Sequence, residues 1–327
     1  MQDLLAEVSI DNLLKFTAGI AAYERTAGSE EEYAAFLYIR EQLNSFGAIT
    51  DLQKHDAFIS VPLNADLQVD GEAFPCQTHS MAPSTSPAGV AAALSYGGKA
   101  SELSVSTCEG KIVLIEGRAE REPLIKAASL GAVGVICISG DYIYESCVSP
   151  IWGSPSHLNK HLLPAIPVVS VTVSTGKRLK ELIADDKADC KLFTQVDSAW
   201  RTIPLLTAEF KAPTATDKFV MFSGHVDSWY HGAMDNGTAN AVMMEVGRLA
   251  MTRQSSLQYN LRLVFFSGHS QGRYAGSAWY CDNHWEDIHY NCVVSVNIDS
   301  PGAIGANDIT RSTIMPEAKP LALQIIK

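Results

Sequence analysis

The sequence predicts an α/β protein: a mixed, mostly parallel sheet flanked by helices, accompanied by a β-rich second domain. Three observations predict it. The runs 205–212, 218–224, 261–268 and 292–299 are almost uniformly apolar, as strands buried on both faces are. An apolar helical period fills 238–253, between the second and third of these runs. Upstream, the chain as far as Trp200 alternates short strands with crossover helices, which marks a separate block.

The first fifty residues read as helical. Ser29 with Glu32 forms a capping box, and Tyr33, Phe36, Leu37, Arg40 and Leu43 recur at helical spacing. Gly47 stands where a helix wants a residue of positive φ. Residues 58–110 read as short strands broken by Pro, Gly and Ser, with a loop at 81–89. Strands at 110–117, 133–139 and 166–173 alternate with helices at 120–132 and from 174, the latter capped by Ser174 or Thr175. There are no internal repeats and no low-complexity segments.

Charge and cysteine usage narrow the classes further. The 327 residues carry 36 acids against 25 bases, a net charge of −11, which repels phosphate backbones and argues against a nucleic-acid partner. The seven cysteines are odd in number, scattered and without a C-x-x-C pair, as free thiols in a reducing compartment would be. The N-terminus has no basic region before a long apolar core, so it does not read as a signal peptide. The most apolar stretch, 127–138, is short of the ~18 residues of a membrane span. The expectation is a cytoplasmic protein with no membrane partner, and homo-oligomers stay open.

Chemistry collects at the strand ends, where ligands of open α/β sheets gather. His225 and Asp227 follow the strand 218–224, Asp235 and Asn236 precede the helix at 238, His269 and Ser270 follow 261–268, and Asp299 ends 292–299. Neutral imidazole and carboxylate are the ligands of a catalytic divalent metal with positions left for water. Trp229 and Tyr230 follow at once and are candidates to line a substrate pocket. His284 and His289, among Trp279, Tyr280 and Trp285, read as packing on the sheet, and His157 and His161 lack the helical context of a zinc pair.

The segments RTAGSEEEYAAFLYIREQLNSFG (25–47), VMFSGHVDSW (220–229), GAMDNGTANAVMMEVGRLA (232–250) and VNIDSPG (296–302) resemble the co-catalytic di-zinc aminopeptidases. That family includes glutamate carboxypeptidase II and the non-peptidase transferrin receptor. The resemblance implies a peptidase-like domain from 1–57 and 203–327, with 58–202 as an inserted protease-associated domain. It implies one or two divalent ions, zinc with cobalt or manganese as alternatives, and removal of N-terminal residues from peptides. His225 would ligate one metal, Asp227 would orient that imidazole, Asp235 would bridge two metals and Asp299 would ligate the second. Asn236 would touch substrate, and Asp235–Asn236 is the candidate for a cis peptide.

Two departures carry consequences. The family's adjacent glutamates, base and ligand, are here His269 and Ser270, so His269 becomes the candidate base. The family's last histidine ligand has no counterpart after His289, so the catalytic domain is expected to be incomplete at Lys327. Two rival readings follow: a binding scaffold without catalysis, and a serine hydrolase using Ser270 of GHSQG (268–272) as a nucleophile elbow.

Overall fold

A computed structural model describes residues 2–305 and 313–326. The chain opens with α1 (Gln2–Leu5), α2 (Ile10–Ala21) and α3 (Glu30–Ser45), then enters β1 (Ile49–Val69), β2 (Glu72–Phe74), β3 (Gln77–Thr78) and β4 (Val90–Lys99). It continues through α4 (Val105–Cys108), β5 (Ile112–Glu116), α5 (Arg121–Ser129), β6 (Gly134–Gly140), β7 (Val168–Thr172) and α6 (Val173–Ala184). The last part holds β8 (Asp189–Phe210), β9 (Phe219–His225), α7 (Ala239–Thr252), β10 (Asn260–Phe266), α8 (Ala275–Asn283), α9 (Trp285–Asn291), β11 (Cys292–Asn297) and α10 (Lys319–Ile326).

The strands follow the order β11-β9-β10-β8-β4-β5-β6-β7-β3, with β1 paired to β8. β9 runs parallel to both β10 and β11, and β4 to β7 run parallel to their neighbours in turn. β8 is antiparallel to β10 at its C-terminal end and to β4 at its N-terminal end. The sheet is therefore mixed: the blocks β11-β9-β10 and β4 to β7 are parallel within themselves, and antiparallel β8 joins them.

β1 and β8 differ from the expectation. In place of short strands from residue 58 and a strand confined to 205–212, they form one antiparallel ribbon of 21 and 22 residues. Pro62 is accommodated by a register shift between Pro62 and Asn64, which is where a residue without a ladder N–H is tolerated. The expected boundaries after residues 57 and 202 both fall inside this ribbon, close to the pair Ala57↔Arg201.

At each end of the ribbon a sheet is packed on both faces. Around β8, β9 and β10, side chains of alternate parity face opposite ways. Leu206, Ala208, Phe210, Leu263 and Phe265 meet α2, α3 and α7, whereas Leu205, Val264 and Phe266 meet Tyr280 of α8. Around β5 to β7, Ile112, Leu114, Ile136 and Val169 pack on α6, and Val113, Ile115, Val135 and Cys137 pack on α5.

The first helical segment follows the expected caps with one change. The Ser29 hydroxyl accepts from the Glu32 N–H at 3.0 Å, but the Glu32 carboxylate turns to the Gly28 N–H at 2.7 Å. Gly47 takes φ +94° after α3. α6 is capped by Thr172, not by Ser174 or Thr175: its hydroxyl accepts from the Thr175 N–H. All seven cysteines are free, and no helix among the described residues is long and apolar enough to cross a membrane.

Candidate metal centre

Three strand ends and one helix start deliver the candidate residues to a single place. His225 is the last residue of β9 and is only 5% exposed. Its Nδ1 lies 2.8 Å from the backbone oxygen of Asp227. That contact makes Nδ1 the protonated nitrogen and leaves the Nε2 lone pair free, the tautomer a metal ligand needs. Nε2 faces Asp235 Oδ1 at 3.1 Å and Asp299 Oδ1 at 3.5 Å, yet it is buried and makes no aligned hydrogen bond. Donors bonded at ~2.0–2.2 Å to a tetrahedral ion stand about 3.3–3.5 Å apart. The two separations from Nε2 bracket that spacing, so each aspartate stands where it could share a divalent cation with His225.

The electrostatics agree. Burial opposes protonation of His225, but the carboxylates of Asp227, Asp235 and Asp299 around it raise its pKa well above the usual value. Partial burial likewise opposes ionisation of Asp299, and the neighbouring His225 holds its carboxyl below the usual range all the same. The pocket favours positive charge, which a bound cation supplies as well as a proton does.

Asp227 orients His225 through its carbonyl, whereas its carboxylate Oδ1 stands 3.7 Å from Nδ1. The carboxylate ties the next loop instead: Oδ1 accepts from the His269 N–H at 3.0 Å and Oδ2 from the Ser270 N–H at 2.7 Å. One fully buried acid thus fixes the ends of β9 and β10 relative to each other.

His269 stacks on His225, with ring centroids 3.9 Å apart and planes 7° apart. The edge of Tyr274 meets its other side at 4.6 Å. Burial, with the charge of His225 added, lowers the His269 pKa to about 4, so its imidazole is neutral across the physiological range.

Asn236 is placed differently from the expectation of substrate contact. It is fully buried, its Nδ2 donates to the Ile298 carbonyl at 3.2 Å, and its Oδ1 accepts from the Ser300 N–H at 3.0 Å. It anchors the end of β11, and thereby Asp299, to the start of α7. The Asp235–Asn236 peptide is cis. Trp229 is half-buried, and Tyr230 is exposed with its hydroxyl bonded to Glu145.

A cleft of about 320 Å³ opens beside the histidines, walled by Phe266, Tyr274, Ala278, Cys281 and Trp152. Trp152 reaches it from the loop after β6 and packs on Tyr274 at 4.9 Å. The sequence offered only a weak signal for it, a lone aromatic in a Pro- and Gly-rich loop.

Arg25 carries no site signal in the sequence. Fully buried, it donates to the carbonyls of Ile20, Tyr23, Val226, His231 and Gly232 and so shapes the loop between β9 and Asp235. Burial lowers its pKa to about 10, against the pull of Asp227, and it remains charged. Gly232 (φ +41°) lies under it, and a Cβ there would collide with the Asp235 carbonyl and with Ser228. Buried Glu32 completes the set: desolvation and the charge of Asp227 raise its pKa well above the usual value.

The serine-nucleophile reading finds no support in this geometry. Ser270 is 8% exposed, lies five residues before α8, and is held through its backbone N–H. Among the described residues, no histidine nitrogen hydrogen-bonds its hydroxyl. Trp279 and Tyr280 pack beneath the sheet as expected, with Trp279 stacked on His55 at 4.3 Å, whereas Trp285 and His289 are exposed.

Residues 206–326 match the family described as Peptidase family M28. That match takes in 121 of the chain's 327 residues, and the family is what the chain is similar to there. Carboxypeptidase Q of Xenopus laevis is 26% identical to the chain over 190 residues, which cover 55% of this chain and 37% of that protein. The match therefore spans little more than a third of that relative's length. The solved Peptidase M28 precursor of Shewanella amazonensis SB2B has a TM-score of 0.74 at 18% identity, covering 91% of this chain and 73% of that one. A zinc aminopeptidase from Bacillus subtilis gives 0.68 at 20%, covering 89% and 68%. The two structures share the fold with this chain, and the matched segment contains each of His225, Asp227, Asp235, His269 and Asp299.

Proposed function

We propose that the chain is a zinc-dependent peptidase-like hydrolase that removes N-terminal residues from peptides. The observation that carries this reading is the convergence of Asp235 and Asp299 on the unbonded Nε2 of His225. The M28 match and the zinc aminopeptidase of the same fold support it.

His225, Asp235 and Asp299 would hold the ion. A divalent ion there supplies Lewis acidity, lowering the pKa of a water toward ~7 and polarising the scissile carbonyl. The remaining tasks fall to the chain. The Asp227 carbonyl keeps the Nδ1 proton of His225 in place, and its carboxylate holds the 269–270 loop over the site. The neutral His269 imidazole takes a proton from the attacking water and returns it to the leaving amine. Phe266, Tyr274 and Trp152 exclude water and bind an apolar side chain of the substrate. Residues 58–202 form a protease-associated insertion, a division supported by the separate packing around β5 to β7.

One observation favours a second reading. Where the resemblance calls for two glutamates, His269 and Ser270 offer no carboxylate, as a binding scaffold would tolerate.

Hydrolysis of aminoacyl p-nitroanilides by the zinc-loaded chain decides between them. The proposal expects turnover that chelation abolishes, that zinc, cobalt or manganese restores, and that fluorophosphonate leaves untouched. His269→Gln should lower kcat by about 10²–10⁴-fold. Chelator-resistant turnover with labelled Ser270 would overturn it, and a zinc-loaded chain that binds peptides without cleaving them would be the scaffold.

A further inference from the structure

We infer that this chain holds one divalent ion, not a pair, and that His269 is not among its ligands. The inference rests on the metallopeptidase reading above and sharpens it.

Distance alone would admit His269. One of its ring nitrogens lies, with donors of His225 and Asp299, in a group whose members are all within 4.8 Å of one another. Orientation excludes it. An imidazole binds a metal through a lone pair in the plane of its ring, at ~2.0–2.1 Å. The two rings are parallel within 7° and stacked at 3.9 Å. An ion in the plane of His225 therefore stands roughly 3.5 Å out of the plane of His269, one contact thickness away. The ring cannot turn toward it freely, because His225 covers one side and the edge of Tyr274 meets the other at 4.6 Å.

A second ion in the plane of His269 would lie at an acceptable separation, since paired sites stand about 3.5–4 Å apart. What it lacks is ligands. A catalytic zinc takes three protein donors. Both carboxylate oxygens of Asp227 are occupied by the N–H groups of His269 and Ser270. Asp235 and Asp299 already face His225, and Asp299 Oδ1 also accepts from the Ser300 hydroxyl at 3.1 Å. Ser270 supplies no anionic donor. Among the described residues, a second ion would have one imidazole and borrowed carboxylates.

The test loads the full chain with zinc, dialyses it and measures bound metal by mass spectrometry, with cobalt(II) absorption as a second readout. The expected result is one ion per chain. His269→Gln should keep that stoichiometry, a zinc Kd within about threefold and the same cobalt spectrum. His225→Gln and Asp299→Asn should each lose the ion while circular dichroism reports an intact fold. Two ions per chain, or a His269→Gln variant that loses metal or shifts the cobalt bands, would overturn the inference and leave the hydrolase reading standing. A chain that retains no ion at all would overturn both.

Discussion

Two buried histidines, His225 at the sheet edge and His79 beside β3, share one feature and differ in another. Each has a ring nitrogen with no hydrogen-bond partner. His79 bonds Ser170 Oγ at 2.8 Å, and burial alone lowers its pKa to about 4. His225 meets three carboxylates that push its pKa the other way. An orphaned imidazole nitrogen is thus not a metal site by itself. Facing carboxylates make it one, and they are present at only one of these two places.

The comparison breaks most sharply if the carboxylates are removed. Asp235→Asn or Asp299→Asn should weaken zinc binding by at least about 100-fold, because two protein donors do not make a catalytic zinc site; isothermal titration measures it. Retained affinity would mean that His225 is no more a ligand than His79.

Arg25 extends the contrast to the loop that carries those carboxylates. Arg25→Met removes a buried cation and leaves the Asp227 carboxylate and five carbonyls uncompensated. The expected loss is about 3–5 kcal/mol in urea unfolding, with metal binding weakened in parallel.

His79 offers the complementary test through pH. Its pKa is about 4 folded and ~6.5 unfolded. Above pH 6.5 both states are neutral there. Between 6.5 and 4 the unfolded chain takes the proton first, so stability falls as pH drops, by at most about 3 kcal/mol. His79→Gln should flatten the fall from pH 7 to 4 by that amount. An unchanged slope would show that His79 titrates normally in the fold.

The smallest effect is expected at Ser270. Its backbone N–H does the holding, so Ser270→Ala should change stability by less than about 1 kcal/mol and keep the bound metal.

Much of the site was legible because strand ends are legible. The apolar runs ending at His225, His269 and Asp299 are set by local period, and parallel strands bring their carboxyl ends together. The ribbon was not legible. Pro62 and the polar residues of β1 read as breaks, and only its twenty paired positions with β8, a tertiary fact, make one strand of it. Nor was the division of labour within Asp227, since sequence names a side chain but not whether its carbonyl or its carboxylate does the orienting. Arg25 escaped notice because a buried cation bonded to five carbonyls looks, in sequence, like any arginine beside a helix.

The central claim is that a divalent ion sits between His225, Asp235 and Asp299. Anomalous diffraction at the zinc edge from zinc-soaked crystals tests it most directly. The account predicts one peak, within about 2.2 Å of His225 Nε2 and of a carboxylate oxygen of each aspartate. A peak elsewhere, or none at this place with the cleft open to solvent, would contradict it.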